Sequence, residues 1–167
     1  MSKASLILND WDIDQRIKRI AYQILEENFE EKELFIIGIK DQGFVFANYL
    51  SEAIRRISSI KIHLHELTMD KSDPLSEEIK INIESQKLKD KVVIFADDVA
   101  STGRTVYYAL QGIKDSAPKK VQVSVLVDRK HKLYPICSDF VGLSLTTTIH
   151  EHITAKLKGK TKSVYLN

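Results

Sequence analysis

VVIFADDVASTGRT, residues 92–105, contains the features from which the fold is predicted. Its first five residues, Val92 to Ala96, form an unbroken apolar run rich in β-branched side chains, which is typical of a strand buried on both faces of a parallel sheet. Two adjacent carboxylates, Asp97 and Asp98, follow where we expect this strand to end. A Ser/Thr/Gly segment comes next, and the apolar residues after it show helical spacing: Val106, Ala109, Leu110 and Ile113.

This order of strand, acidic pair, hydroxyl-rich loop and helix is typical of a phosphate site. Backbone N–H groups of the loop and of the first helical turn point towards one position, where the helix dipole favours an anion. Gly103 permits close backbone approach or a positive φ. Asp97 and Asp98 can accept hydrogen bonds from sugar hydroxyls or lie in the outer shell of Mg²⁺. An ordinary polar turn is the alternative, but two adjacent carboxylates at a buried strand end would make it costly.

The composition indicates a single α/β domain covering residues 1–167. A length of 167 residues with 43% hydrophobic and 29% charged residues is ordinary for a globular protein. No apolar run is long enough to cross a bilayer, so we expect no membrane partner. The single cysteine, Cys137, excludes an internal disulfide and favours a cytoplasmic location. A net charge of +2 does not by itself indicate nucleic-acid binding.

Strand and helix patterns alternate along the chain, which predicts a mostly parallel sheet flanked by helices, with ligands at the carboxyl ends of the strands. The predicted strands besides the central one are 5–8, 34–39, 60–64, 121–127, 139–143 and 163–166. One helix is predicted over about 11–28, with Asn9 or Asp10 as its N-cap, and another carries Phe46 to Ile57. Residues 68–89 are polar and aperiodic, and we interpret this lid segment as a functional lid or hairpin.

Asp97-Asp98-Val99 with Thr102-Gly103 and Thr105 resembles the phosphoribosyl-pyrophosphate (PRPP) signature of the type I phosphoribosyltransferases. The resemblance implies that Asp97 and Asp98 contact the ribose hydroxyls and lie in the outer shell of Mg²⁺. It also implies a cradle for the 5-phosphate, made of Ala100, Ser101, Thr102, Gly103, Arg104 and Thr105. The fold implied is a central mostly parallel sheet with a small hood and a flexible lid.

The resemblance covers nearly the whole chain and is greatest to bacterial pyrimidine-operon attenuator proteins that are also uracil phosphoribosyltransferases. Residues 37–54 resemble the pyrophosphate loop and its helix, which implies that Lys40, Asp41, Gln42 and Gly43 hold pyrophosphate, with Lys40 also catalytic. The hood, at about 129–153, implies a base site formed by Asp128, Arg129, Thr147, Thr148 and Ile149. The implied reaction converts uracil and PRPP to uridine monophosphate and pyrophosphate with Mg²⁺.

Two departures from the attenuator proteins and one difference from the purine enzymes bear on the expected activity. Gln42 stands where the attenuator proteins usually have arginine, and Thr68-Met69-Asp70-Lys71 replaces their Tyr-Arg-Asp-Asp lid motif, so Lys71 is a candidate replacement for the missing cation. The purine enzymes place an acid/base aspartate where this chain has Ser101. A serine hydroxyl is a poor substitute for that acid. We therefore favour a pyrimidine base and keep hypoxanthine or guanine as the alternative.

RNA-binding regulation, with weak or no catalysis, is a hypothesis from a different class. A basic face could be formed by Lys18, Arg19, Arg129, Lys130, His131 and Lys132. We favour a solvated charged surface over an RNA site, because the net charge is low and Cys137 replaces an arginine of the family. The family resemblance further implies a homodimer or a higher homo-oligomer.

Overall fold

One of the two middle strands of the central sheet carries the acidic pair. The computed structural model describes residues 4–167, so residues 1–3 of the predicted domain lie outside the described residues. The helices are α1 (Asp10–Glu27), α2 (Gln42–Ile57) and α3 (Arg104–Ala109), with short 3₁₀ turns at Ser85–Leu88 and Leu110–Ile113. The strands are β1 (Ser5–Leu8), β2 (Glu33–Ile39), β3 (Lys61–Thr68), β4 (Lys80–Ile81), β5 (Val92–Ala100), β6 (Lys120–Asp128), β7 (Phe140–Ser144), β8 (Ile153–Lys156) and β9 (Ser163–Leu166).

Six of these strands form the main sheet in the order β4-β3-β2-β5-β6-β7. The pairs from β3 to β7 are parallel, and β4 joins the edge antiparallel to β3. The carboxyl ends of β2, β5 and β6 therefore lie side by side at one edge of the sheet. The predicted mostly parallel sheet is confirmed.

The two faces of the sheet are buried by different elements. On one face, α1 and α2 cover alternate side chains such as Ile36 and Ile94. On the other face, α3 and the end of the lid segment cover Ile37 and Phe95. Helix α1 begins at a reciprocal capping box, in which Asn9 Oδ1 accepts from the Asp12 N–H at 2.9 Å and Asp12 Oδ2 accepts from the Asn9 N–H at 3.0 Å.

Strand β5 is longer than the sequence predicts. We expected it to end before the acidic pair, but its pairing with β6 continues from Asp97 opposite Val125 to Ala100 opposite Asp128. The neighbouring strand extends the hydrogen-bond ladder, because the Arg129 N–H donates to the Ala100 carbonyl at 2.9 Å. The two carboxylates are thus held by the sheet itself and not by a loop that follows it.

A second, three-stranded sheet has the order β1-β9-β8 and does not coincide with the predicted hood segment. Residues 129–153 include β7, which belongs to the main sheet, and only the first residue of β8. The small sheet joins both ends of the described chain, because β9 pairs antiparallel with β1 and with β8. Strand β8 was not predicted, since its four residues, ITAK, are too short to show a clear period.

The lid segment is partly attached to the sheet. Its strand β4 pairs with the end of β3, with Leu67 opposite Ile81. Near the end of the segment, Leu88 is buried in the core on the face of the sheet that α3 covers. Residues between Met69 and Ile79 connect these anchor points at the carboxyl edge of β3.

Among the described residues, none of the helices has the length and apolar character that crossing a membrane requires.

Candidate active site

The acidic pair lies on the central strand β5, between β2 and β6. Asp97 is only 3% exposed, whereas Asp98 is partly accessible. The Asp98 N–H donates to Asp97 Oδ1 at 3.0 Å, so the backbone holds the first carboxylate in a fixed orientation. The fold therefore presents one buried and one accessible carboxylate at the carboxyl edge of the sheet.

Lys71 of the lid segment contacts both carboxylates. Its Nζ lies 2.9 Å from Asp97 Oδ1 and 3.8 Å from Asp98 Oδ1. Burial together with the Asp98 carboxylate raises the pKa of Asp97 to about 8, against the opposing effect of Lys71. Burial also disfavours the charge of Lys71, but the two carboxylates outweigh it and raise the pKa of the lysine. The ammonium group of Lys71 thus stabilises the ionised form of Asp97.

The predicted phosphate loop encloses a small cavity next to the acidic pair. The cavity has a volume of about 100 Å³ and is lined by Asp97 and by residues from Val99 to Val106. A water molecule occupies roughly 30 Å³ of liquid volume, so a phosphate-sized group fits this space. Gly103 has φ +83°, and a Cβ there would lie 3.1 Å from the Ile136 Cβ. The predicted residues Ala100 to Thr105 are therefore brought together around one cavity.

The segment after β6 supports this loop from behind. The Thr102 carbonyl accepts from the Leu133 and Tyr134 N–H groups, each at 3.0 Å. Thr102 Oγ1 also accepts from the Arg104 N–H at 3.2 Å. The loop is thus tied at its middle both to α3 and to a segment about 30 residues further along the chain.

The loop after β2 approaches the acidic pair from the neighbouring strand. A Cβ at Gly43 would lie 2.4 Å from Asp97 Oδ1, so only glycine allows the backbone to come this close. Asp41 has φ 70° and ψ −124°, a conformation that strains a non-glycine residue. Strain of this kind is common at functional sites. The exposed Lys40 and Asp41 line a cleft of about 470 Å³ together with Thr68, Met69, Asp70, Lys71, Ser72 and Glu77.

Gln42 has a different environment from the rest of the predicted pyrophosphate loop. Its Oε1 accepts from the Leu157 N–H at 2.8 Å, just beyond β8. The side chain therefore links the start of α2 to the small sheet. Gln42 was expected to hold pyrophosphate in place of an arginine, and its link to Leu157 was not predicted, since 115 residues separate the two partners.

Arg129 contacts two of the other residues that were predicted to bind the base, Thr147 and Thr148. Arg129 is 9% exposed; its Nε donates to Thr147 Oγ1 at 2.9 Å and its Nη2 donates to the Thr148 carbonyl at 3.2 Å. His131 Nε2 lies 2.9 Å from the Thr147 carbonyl oxygen. The guanidinium thus fixes the position of the 147–148 backbone, while Ile149 stays 78% exposed at its end. Ile149 is therefore not a core residue.

Asp128 lies beside the phosphate loop, because it pairs with Ala100 across β5 and β6. Asp128 Oδ1 accepts from Lys132 Nζ at 3.0 Å and from the Lys130 N–H at 2.9 Å. This role of Lys132 was not predicted, because Asp128 ends a strand and Lys132 lies in a loop, where no helical period brings the two side chains together. Asp128, one of the predicted base-site residues, thus has its carboxylate paired with Lys132.

The chain belongs to the phosphoribosyltransferase family, because residues 6–159 match the model of the phosphoribosyl transferase domain. It is an enzyme of the transferase class. The predicted resemblance to the attenuator proteins is also confirmed. The chain is 35% identical to the Bifunctional protein PyrR of Alkaliphilus metalliredigens, over 94% of this chain and 90% of the relative. It is 37% identical to the protein of the same name from Brevibacillus brevis, over 94% and 92% of the two chains.

Solved structures confirm the type I fold. The hypoxanthine phosphoribosyl transferase of Trypanosoma cruzi superposes with a TM-score of 0.72 at 16% identity, over 86% of this chain and 78% of the other. A hypoxanthine phosphoribosyltransferase from Staphylococcus aureus gives a TM-score of 0.72 at 17% identity, over 89% and 79%. At these identities the likeness concerns the fold alone.

Proposed function

We propose that this enzyme transfers the 5-phosphoribosyl group of PRPP to uracil, giving uridine monophosphate and pyrophosphate. The observation that carries the proposal is the adjacency of the acidic pair and the small cavity formed by the following loop. A carboxylate pair suits a ribose diol, and the cavity suits the 5-phosphate of the same sugar. Relatives that are named bifunctional PyrR proteins support the choice of a pyrimidine.

The proposed site divides the substrate between three parts of the sheet edge. Asp97 and Asp98 accept hydrogen bonds from the ribose hydroxyls, and residues 100–105 hold the 5-phosphate. Lys40 and the backbone of Asp41 to Gly43 face the pyrophosphate from the neighbouring strand β2. Catalysis would then consist mainly of positioning and of stabilising the charge on the leaving group.

The acidic pair also fits Mg²⁺, because carboxylate oxygens are the protein ligands that this ion prefers. Asp97 and Asp98 would hold the hydrated ion through its outer shell, and bound Mg²⁺ would neutralise charge on the pyrophosphate oxygens. The described part of the chain contains no group of three His, Cys, Asp or Glu side chains that could hold a metal ion.

Ser101 supports uracil over a purine. It lines the phosphate cavity at the position where, by the family resemblance, purine enzymes carry an acid/base aspartate. A hydroxyl does not exchange protons efficiently near neutral pH, which limits chemistry that needs a proton transfer at a purine ring. Uracil needs no such transfer under this interpretation.

A panel of free bases tests the proposal. Uracil, cytosine, hypoxanthine, guanine and adenine are incubated with PRPP and Mg²⁺, and pyrophosphate release is measured. We expect release with uracil that is lost in Asp98→Asn, which controls for contaminating enzymes. Release with hypoxanthine or guanine but not with uracil would overturn the choice of base. Failure of every base would overturn the assigned reaction.

RNA binding remains the second candidate, and the name of the bifunctional relatives is what favours it. The contacts of the basic residues count against a free basic face. Arg19 Nη2 donates to the carbonyls of Val141 and Gly142, Arg129 is directed inwards, and Lys132 pairs with an aspartate. RNA affinity that falls steeply with salt concentration would support the regulator.

A homodimer or higher oligomer, as the family resemblance implies, is tested by light scattering of the purified chain.

A further inference from the structure

Lys71 contacts the acidic pair from the lid segment, outside the strand and loop that form the rest of the site. The ammonium group is partly buried, with its side chain 33% exposed, and it lies within 4.0 Å of both carboxylates. Among residues 4–167, it is the basic side chain that makes an ion pair with Asp97 or Asp98. One lysine therefore offsets part of the charge of the two carboxylates.

The environment of the pair shows why this lysine matters. Gly43 packs against Asp97 on one side, and the backbone N–H of Asp98 already donates to Asp97 Oδ1. The same oxygen accepts from Lys71 Nζ at 2.9 Å. Asp41 adds a further negative charge near the lysine. Two adjacent carboxylates without a cation would repel each other strongly in this buried position.

A ligand that uses the carboxylates has to compete with Lys71. A hydrated divalent cation needs the negative charge that the lysine neutralises, and a ribose hydroxyl needs the lone pairs of the same oxygens. Lys71 also lines the cleft that contains Lys40, so there is open space next to the ammonium group. A ligand that takes the carboxylate oxygens bound by Lys71 therefore displaces the lysine.

We propose that Lys71 is the resident counter-ion of the Asp97–Asp98 pair, and that it lowers the affinity of the site for divalent cations because it must leave before they bind. This inference rests on the proposed function only in assigning Mg²⁺ and PRPP as the natural competitors. Lys71 is then a positioning residue. Its removal should have the opposite effect to the removal of a lysine that binds substrate, which would weaken binding. Loss of the lysine should tighten cation binding.

Binding of Mn²⁺ to the full chain tests the proposal, with free Mn²⁺ measured by electron paramagnetic resonance. The pH is 8.5, above the value of about 8 to which the pKa of Asp97 is raised, so that protons compete little for the pair. We expect Lys71→Met to bind Mn²⁺ about tenfold more tightly than the unchanged chain, within the usual range of coupling between competing ligands. Adding Asp98→Asn to Lys71→Met should abolish this gain.

Lys80→Met is the matched control, because Lys80 belongs to the same lid segment, its side chain is 70% exposed, and it pairs with Glu78 and not with the acidic pair. It should bind Mn²⁺ as the unchanged chain does. Equal affinity in Lys71→Met and the unchanged chain, or an equal gain in both lysine variants, would overturn the proposal. Circular dichroism checks folding, and Lys71→Gln replaces the methionine variant if that variant does not fold. The measurement needs neither PRPP nor a base, so its outcome is independent of the pyrophosphate assay.

Discussion

The phosphate side and the base side of the site are built in different ways. On the phosphate side, the acidic pair and the cavity-forming loop follow one another within residues 97–106. On the base side, Arg129 contacts residues 18 and 19 positions away. A contiguous motif fixes its own geometry, whereas the base side depends on the paths of several loops. The chemistry of the phosphate side is therefore more directly encoded in the sequence.

The two sides also differ in how their polar groups are satisfied. Asp97 is buried beside a second carboxylate and relies on one lysine from the lid segment. On the base side, the Arg129 guanidinium already donates to Thr147 and Thr148, and Asp128 already pairs with Lys132. The phosphate side thus holds groups that a ligand can stabilise, while the charged side chains of the base side mainly position backbone. Three substitutions test this difference.

Asp98→Asn should have the largest effect, because it removes the accessible charge on the phosphate side. We expect turnover to fall by about two to three orders of magnitude, as is usual on losing a preorganised electrostatic contact. Turnover is measured by pyrophosphate release with the best base, and thermal melting checks that the fold is retained. Asp115→Asn removes an exposed carboxylate elsewhere and serves as the control. Near-normal turnover in Asp98→Asn would refute the ribose-binding role of this residue.

The sequence predicted the fold and the order of the elements around the acidic pair in considerable detail. The apolar run of β5 and the helical spacing after residue 105 indicated the elements, because burial imposes its period on the sequence. The end of β5 was misplaced, since a charged pair normally marks a strand end and only the ladder with β6 reveals that pairing continues to Ala100. The small sheet was equally inaccessible, because it joins β1 to β9 across almost the whole chain.

Individual side chains on the base side show the limit more clearly. Arg129 was predicted to bind the base, but nothing in its neighbourhood along the chain reveals that its guanidinium is directed towards Thr147. Lys71 was considered only as a substitute for a missing arginine, and its contact with Asp97 spans 26 positions. Contacts of this kind depend on where the loops run after the strands end. Period and motif therefore identify the elements and the local loop, but not the partners of long side chains.

Arg129→Met tests the positioning role on the base side. The change keeps an apolar stem but removes the hydrogen bonds to Thr147 and Thr148, each worth roughly 1 kcal/mol. We expect the KM for the base to rise about tenfold, while the KM for PRPP stays within about twofold, because the phosphate side is unchanged. Initial rates with each substrate varied in turn give both constants. Lys130→Met removes the charge of the exposed neighbour and should change neither constant. An equal rise in both KM values would show that the two sides are not independent.

Asp97→Asn should change the stability of the chain in a pH-dependent way. The pKa of Asp97 is raised to about 8 in the folded chain, against roughly 4 for an unfolded aspartate. Between these pH values the folded state retains a proton that the unfolded state has released, so the free energy of unfolding falls as pH rises. Asparagine removes this dependence. Urea unfolding should therefore show that the stability of the variant, relative to that of the unchanged chain, increases between pH 4 and pH 8 by up to about 1.4 kcal/mol per pH unit. Asp115→Asn, measured in the same series, separates this effect from the loss of one negative charge. A stability difference that stays constant between pH 4 and pH 8 would mean that burial does not disfavour the Asp97 carboxylate. The contrast between the two sides would then rest on geometry alone.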